Sequence, residues 1–241
     1  MKEIPDALFC ETVRDFMVNQ QFRRDYWVKG VHQLNLLEQA EAFRAQKIVL
    51  IQPRADLSLK VIGAIGEAAM QGAVFNPILD LLADRKPRTL AQIEQAVKDK
   101  GLLFVQVTQV VMVLTGVGHL AAVQDDTTIS KAKKHTDKLN AYLIDKARGS
   151  NDIEYLANPV IGGGFTVGRF QQLFLLAMSQ GKKQPAEWAQ VVWQILATQG
   201  QKILKEGKVL ETPEENLAEL TLQATTFADK QLPILKALQI A

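Results

Sequence analysis

Apolar residues recur at helical spacing in Val13, Phe16 and Met17. Phe22, Tyr26, Leu34 and Leu37 continue the stripe past a break at Asn19–Gln21, so residues 10 to 40 read as mainly helical. The consecutive apolar run "KIVLIQ" is β-rich and is followed by the turn-like "RADLSLKVIG", which predicts a small hairpin of Lys47–Gln52 with Leu59–Ile62. From Asn76 the punctuation changes to that of short helices. Asn76 is placed as a helix N-cap with Pro77 in the first turn and Pro87 as the stop. Thr89 and Gln92 have capping-box spacing and the element closes on Gly101. "VTQVVMVLTGVG" is a third helix, with its valines and Met112 read as core, and "HLAAVQDD" alternates weakly like a strand.

Three short helices and a strand predict a winged-helix-like module over residues 76–150. It is preceded by an N-terminal helical segment with a short β-hairpin over 1–75 and followed by a helical C-terminal domain over 151–241. The last boundary is placed at "GSNDIEYLANPVIGGG", the least periodic stretch, read as a tight or flexible linker after a basic helix from Lys131 to Arg148. Beyond it, Phe170, Leu173, Phe174 and Ala177 share one helical face, as do Trp188, Val191, Val192, Ile195 and Leu196 after Pro185. "TPEE" announces a further helix, with Thr212 as N-cap and Glu215 as its reciprocal partner, and Pro233 is read as a break before a C-terminal turn. The fold class is therefore mainly α with a small β component.

The 241 residues are 47% hydrophobic and 22% charged, which excludes a disordered chain, and no apolar run reaches the ~20 residues of a spanning helix. Glu3, Pro5 and Asp6 interrupt the region a secretory peptide would need apolar, so a cytoplasmic location is expected. Net charge +2 gives no general attraction for polyanions. Cys10 is the sole cysteine; it forbids an internal disulfide and reads as a buried small hydrophobe.

Candidate chemistry is sparse. Gly162, Gly164 and Gly168 do not have dinucleotide-loop spacing and no P-loop Lys-Ser or Lys-Thr follows them. His32, His119 and His135 sit on different elements with no ligand-spaced partner, so no metal site is expected. Specific DNA reading needs cations and base-reaching polar groups. The third helix offers only Gln106 and Gln109, while Lys131, Lys133, Lys134 and Lys138 read as a solvated helix face.

"RDFMVNQQFRRDYWVKG", "LANPVIGGGFTVGRFQQLFLLA", "EWAQVVWQILATQGQKILKEGKVLETPEENLAEL" and "LPILKALQI" carry a resemblance. In this order, from about Val13 to Ile240, they resemble the post-catalytic region of bacterial methyltransferases with a methyltransferase regulatory domain, a group that includes outer-membrane-protein lysine methyltransferases. The resemblance implies a regulatory or substrate-recognition module of a protein lysine methyltransferase. No strand, glycine-rich turn and ribose-binding acid stand in that order before Asn76, so no catalytic residue and no cofactor are expected in this chain. S-adenosylmethionine is expected on a catalytic domain acting in cis or in trans, the sequence being either a fragment or a separately encoded subunit. The expected partners are that domain and a protein substrate, with neither membrane nor nucleic acid. Arg14, Arg23, Arg24, Tyr26 and Trp27 are the candidate partner- or substrate-binding residues, because arginine and large aromatics suit interface anchoring. In the competing local reading Phe22, Tyr26 and Trp27 are core and the arginines pair with Asp15 and Asp25. The competing functions are a winged-helix DNA-binding transcription regulator and a stand-alone protein-interaction adaptor.

Overall fold

A computed structural model describes residues 3–23, 25, 27–63 and 66–241. The chain separates into two compact units, Met1–Gln39 and Ala40–Ala241. The first contains α1 (Ala7–Met17), which starts where the Asp6 carboxylate accepts a hydrogen bond from the Phe9 N–H at 2.6 Å. It ends at Val18, and Asn19 turns the backbone to a φ of 51°. Residues 18–35 are turns and irregular backbone among the described positions, so the helix expected across 10–40 is confined to its ends. The second end begins α2 (Leu36–Ala45), most of which belongs to the second unit; there its Arg44 pairs with Glu94 at 2.8 Å and stacks 4.2 Å over the Phe104 ring.

In the second unit the path continues through β1 (Lys47–Leu50), β2 (Lys60–Gly63), β3 (Gly66–Ala69), α3 (Gly72–Leu82), β4 (Arg88–Thr89), α4 (Leu90–Ala96), α5 (Phe104–Gly116) and β5 (Leu120–Ala122). It then runs through α6 (Asp126–Lys146), β6 (Tyr155–Asn158), β7 (Gly163–Thr166), α7 (Arg169–Ser179), α8 (Pro185–Thr198), β8 (Leu204–Lys205), β9 (Lys208–Val209), α9 (Pro213–Thr226) and α10 (Leu232–Ala237). The fold is mainly α with a small β component.

β1 is the centre of an antiparallel sheet ordered β4–β1–β5, with Ile48 opposite Arg88 and Ala122, and Leu50 opposite Leu120. The expected hairpin of Lys47–Gln52 with Leu59–Ile62 does not form; β1 recruits strands distant in sequence and β2 pairs with β3 instead. The reason is burial. Ile48, Val49 and Leu50 are all buried, so β1 needs cover on both faces, which an isolated hairpin cannot supply. Ile48 and Leu50 join a core with Phe75, Ile78 and Leu79 of α3, Ile93 of α4 and Val110 of α5. Val49 joins the other core, built from α7, α8, α9 and α10.

The first core carries three helices and the sheet, but its elements begin differently from the expectation. α3 starts at Gly72, a turn before Asn76, and Pro77 lies inside it. Asn76 does not cap; its side-chain oxygen accepts from Arg54 at 2.9 Å. The division expected at 75/76 therefore falls within a helix. Thr89 and Gln92 do form their capping box, and Gly101 turns with a φ of 73°. Met112 is 62% exposed: α5 buries Val107, Val110, Val111 and Leu114, leaving Val105, Gln109 and Met112 along its outer face. Arg88 holds Asp84 through paired hydrogen bonds at 2.6 and 2.7 Å at the turn leading into β4, and this pushes the Asp84 carboxyl down to about 2.

The second core spans the boundary expected at 150/151, since Ile129 and Ala147 pack in the same cluster as Leu156, Leu173 and Ile240. The supposed linker is the β6–β7 hairpin, with Tyr155 opposite Thr166 and Asn158 opposite Gly163. Glycine-poor alternation is absent from β7, which is why periodicity misses it. Asn140 of α6 fixes the hairpin: its side-chain oxygen accepts from the Ala157 N–H at 2.7 Å and its amide donates to the Ala157 carbonyl at 2.8 Å. Arg169 likewise donates to the carbonyls of Ala147 and Arg148 at 2.8 and 2.9 Å, closing the C-terminal end of α6 onto α7. Phe227 sits 5.6 Å from Phe174 and meets Trp188 edge-on at 6.2 Å. Pro233 does not break the chain; a wide turn over Phe227–Gln231 precedes it, and Pro233 occupies the first turn of α10, where a missing N–H costs nothing.

Asn140→Ala strands the half-buried N–H and C=O of Ala157, so a loss of about 2 kcal/mol in urea unfolding is expected, and a loss below about 0.5 kcal/mol would contradict the clamp. Asp84 is lowered in the folded state from its ordinary 3.8 to about 2, so its contribution is full above pH 3.8 and disappears as pH falls through about 2. Urea midpoints measured between pH 5 and pH 2 should fall more steeply for the wild type than for Arg88→Met.

Candidate functional site

The sequence-predicted site residues lie in the first unit, and the structure arranges their charges and apolar groups oppositely. Arg23 gathers three carboxylates: Nε reaches Asp25 at 2.7 Å, while the terminal nitrogens reach Asp15 at 3.1 Å and Glu11 at 3.4 Å. The hydrogen bond that Arg23 donates to Asp25 leads in raising the Arg23 pKa further, against a smaller opposing effect of desolvation. Glu11 and Asp15 are one turn apart on α1, so Arg23 folds the chain after Asn19 back against the helix's acidic edge. Arg14 pairs with Glu11 at 3.3 Å. The local pairing reading therefore holds for Arg23, and Arg24 and Tyr26 lie outside the described residues.

The aromatic side chains do not form the core that the same reading required. Trp27 is 85%, Phe22 84% and Phe16 83% exposed, with Leu8, Phe9, Met17, Val28 and Val31 exposed beside them in sequence. No described residue of this unit is buried, and Cys10 is half-buried on α1. The ionic side of α1 is thus turned to Arg23 while its apolar side meets solvent, the reverse of an ordinary surface helix. Monomeric proteins rarely expose contiguous apolar patches beyond a few hundred Å², and larger ones mark interaction surfaces.

The second unit offers concave surfaces. A cavity of about 590 Å³ lies between the start of α7 and the end of α9, with Phe170, Glu154, Glu219 and Gln223 on its walls. Lys205 at 2.7 Å and Gln223 at 2.9 Å lower the Glu219 carboxyl and keep it ionised. A groove of about 660 Å³ runs between β7, the loop after β1 and α10. Sequence reasoning missed this groove, because its walls come from three segments far apart in the chain; the glycine run was its one visible sign.

Among the described residues no three His, Cys, Asp or Glu side chains are grouped to hold a metal. His119 is half-buried and its pKa is lowered by that burial, while His32 and His135 are exposed. α5 contains no Lys or Arg. Lys133 of the basic helix pairs with Asp137 within α6. No described helix is long and apolar enough to cross a membrane.

Comparison with known proteins adds two findings. Residues 1–29 match the family of the predicted methyltransferase regulatory domain, a shorter span than the resemblance from Val13 to Ile240. An uncharacterized protein of Synechocystis sp. (strain ATCC 27184 / PCC 6803 / Kazusa) is 36% identical over 241 residues, covering 100% of this chain and 47% of that protein. The chain thus spans about half the length of the curated relative it matches. No solved structure matches. The family match falls wholly within the first compact unit, the one that exposes Phe16, Phe22 and Trp27.

Arg23→Ala removes the cation that holds Glu11, Asp15 and Asp25 together, and faster amide exchange is expected at residues 18–23 with exchange in α7 and α8 unchanged. Unaltered exchange at residues 18–23 would contradict the latch.

Proposed function

We propose that this chain is a regulatory and substrate-recognition module of an S-adenosylmethionine-dependent protein lysine methyltransferase, acting beside a catalytic domain in cis or in trans in the cytoplasm. The observation that carries the reading is the coincidence of the family match at residues 1–29 with the exposed side chains of Leu8, Phe9, Phe16, Met17, Phe22 and Trp27. Large aromatics of this kind anchor protein interfaces, since each removes a broad apolar area from water at small entropic cost. The catalytic domain is the proposed occupant of that face.

Arg23 has a positioning role in this scheme. Its carboxylate contacts fix the bend after α1 and so set where Phe22 and Trp27 stand, while the guanidinium itself is engaged within the segment. Exposed Arg14 is a rim contact. The methyl donor would sit on the catalytic domain: the glycine run Gly162–Gly164 belongs to a hairpin, whereas a dinucleotide-type turn joins a strand to a helix whose N-terminus meets phosphate. This chain's residues would accordingly bind and orient, with the methyl transfer performed elsewhere in the assembly.

Calorimetric titration of this chain against the part of the Synechocystis relative outside the matched region tests the reading. Binding is expected, and Phe16→Ser with Trp27→Ser should weaken it by about 30-fold, the effect of losing about 2 kcal/mol at a central aromatic anchor. Absence of binding, or unchanged affinity in the double variant, would contradict it.

A further inference from the structure

The β6–β7 hairpin has two outer edges, and the structure treats them differently. Val167 N–H donates to the Glu154 carbonyl at 2.8 Å, and the strand register pairs Leu156 with Phe165 and Asn158 with Gly163. Hydrogen-bonded pairs alternate along an antiparallel ladder, so Phe165 and Gly163 spend their backbone groups on β6 while Gly164 and Thr166 direct theirs away from it. The same alternation turns Tyr155 and Ala157 outward on β6. There Asn140 takes both backbone groups of Ala157, as a neighbouring strand would. On β7 no hydrogen bond joins the N–H or C=O of Gly164 or Thr166 to another described residue.

That open edge borders the groove of about 660 Å³: Gly164, Phe165 and Thr166 form one wall, and Ile51, Ile234 and Leu235 are among the residues across from it. The glycines leave the approach clear, for a Cβ built at Gly163 meets nothing within 4 Å and one at Gly164 meets only Tyr155 at 3.5 Å. The groove's charged residues, Asp56 and Lys230, neutralise each other at 2.7 Å, so its field favours an uncharged occupant.

We propose that β7 and this groove form a binding site for an extended, uncharged peptide segment, which adds as a further strand against Gly164 and Thr166 and lays alternate apolar side chains into the groove. Main-chain hydrogen bonds give such a site its grip and the pocket for every second side chain gives it selectivity. The occupant is a peptide of another molecule. Second-copy pairing would also use the edge, and is separated from it below. The site is independent of the docking face in the first unit.

The probe is the peptide acetyl-Ser-Thr-Val-Thr-Val-Ser-amide, titrated into the ¹⁵N-labelled chain. The amide signals of Gly164 and Thr166 should shift, with smaller changes at Gly163 and Phe165. Thr166→Pro removes an outward donor while leaving the ladder to β6 complete, and should weaken binding by about tenfold. The same peptide N-methylated at alternate residues should lose binding to the wild-type chain to at least that degree, which decides the matter even where the proline variant fails to fold. No shift at Gly164 and Thr166, or unchanged affinity with the proline variant or the N-methylated peptide, would overturn the proposal. Shifts of these amides that depend on protein concentration without peptide would overturn it in favour of a second copy.

Discussion

The second unit depends on the burial of both faces of one four-residue strand. Ile48 and Leu50 of β1 point into the core of α3, α4 and α5, and Val49 between them points into the core of α7 to α10. Because side chains alternate strictly along a strand, β1 cannot slip by one residue without exchanging its two cores. That constraint selects β4 and β5 as partners. It also makes residues before and after the helices one cooperative structure, with the hairpin of β6 and β7 held against α6 by Asn140.

The first unit follows the opposite logic. Among its described residues the ion pairs centre on Arg23, and most of the large apolar side chains are exposed. Exposed ion pairs contribute little stability individually, so such a segment is shaped more than stabilised by them. In the proposed assembly such a segment gains its burial energy when the partner arrives. The match of residues 1–29 to a methyltransferase regulatory domain gives that partner a chemical identity to propose.

Local chemistry was readable in the sequence wherever one residue type has one backbone use. Thr89 with Gln92 and Thr212 with Glu215 marked two helix starts because the capping box is satisfied within four residues. The stripe from Trp188 to Leu196 marked α8 because one face alone is buried. The strand partners of β1 were not readable, since they are chosen by a core assembled from distant segments. The glycine hairpin hid because Gly163 and Gly164 carry no side-chain period. For the candidate site, the stretch from Arg14 to Trp27 was legible by its composition. Which of its groups would pair internally and which would face outward was not: the break at Asn19 was visible, but the return of the chain onto α1 is fixed by Arg23 with Glu11 and Asp15, contacts between different turns of the sequence.

The central claim is that the apolar side of the first unit is covered in a working assembly. Hydrogen exchange of residues 7–37, followed in the chain alone and with the unmatched part of the Synechocystis relative, tests this most directly. The account predicts slowed exchange across α1 and the segment around Trp27 on mixing. A complex that forms with protection only in the second unit would contradict it.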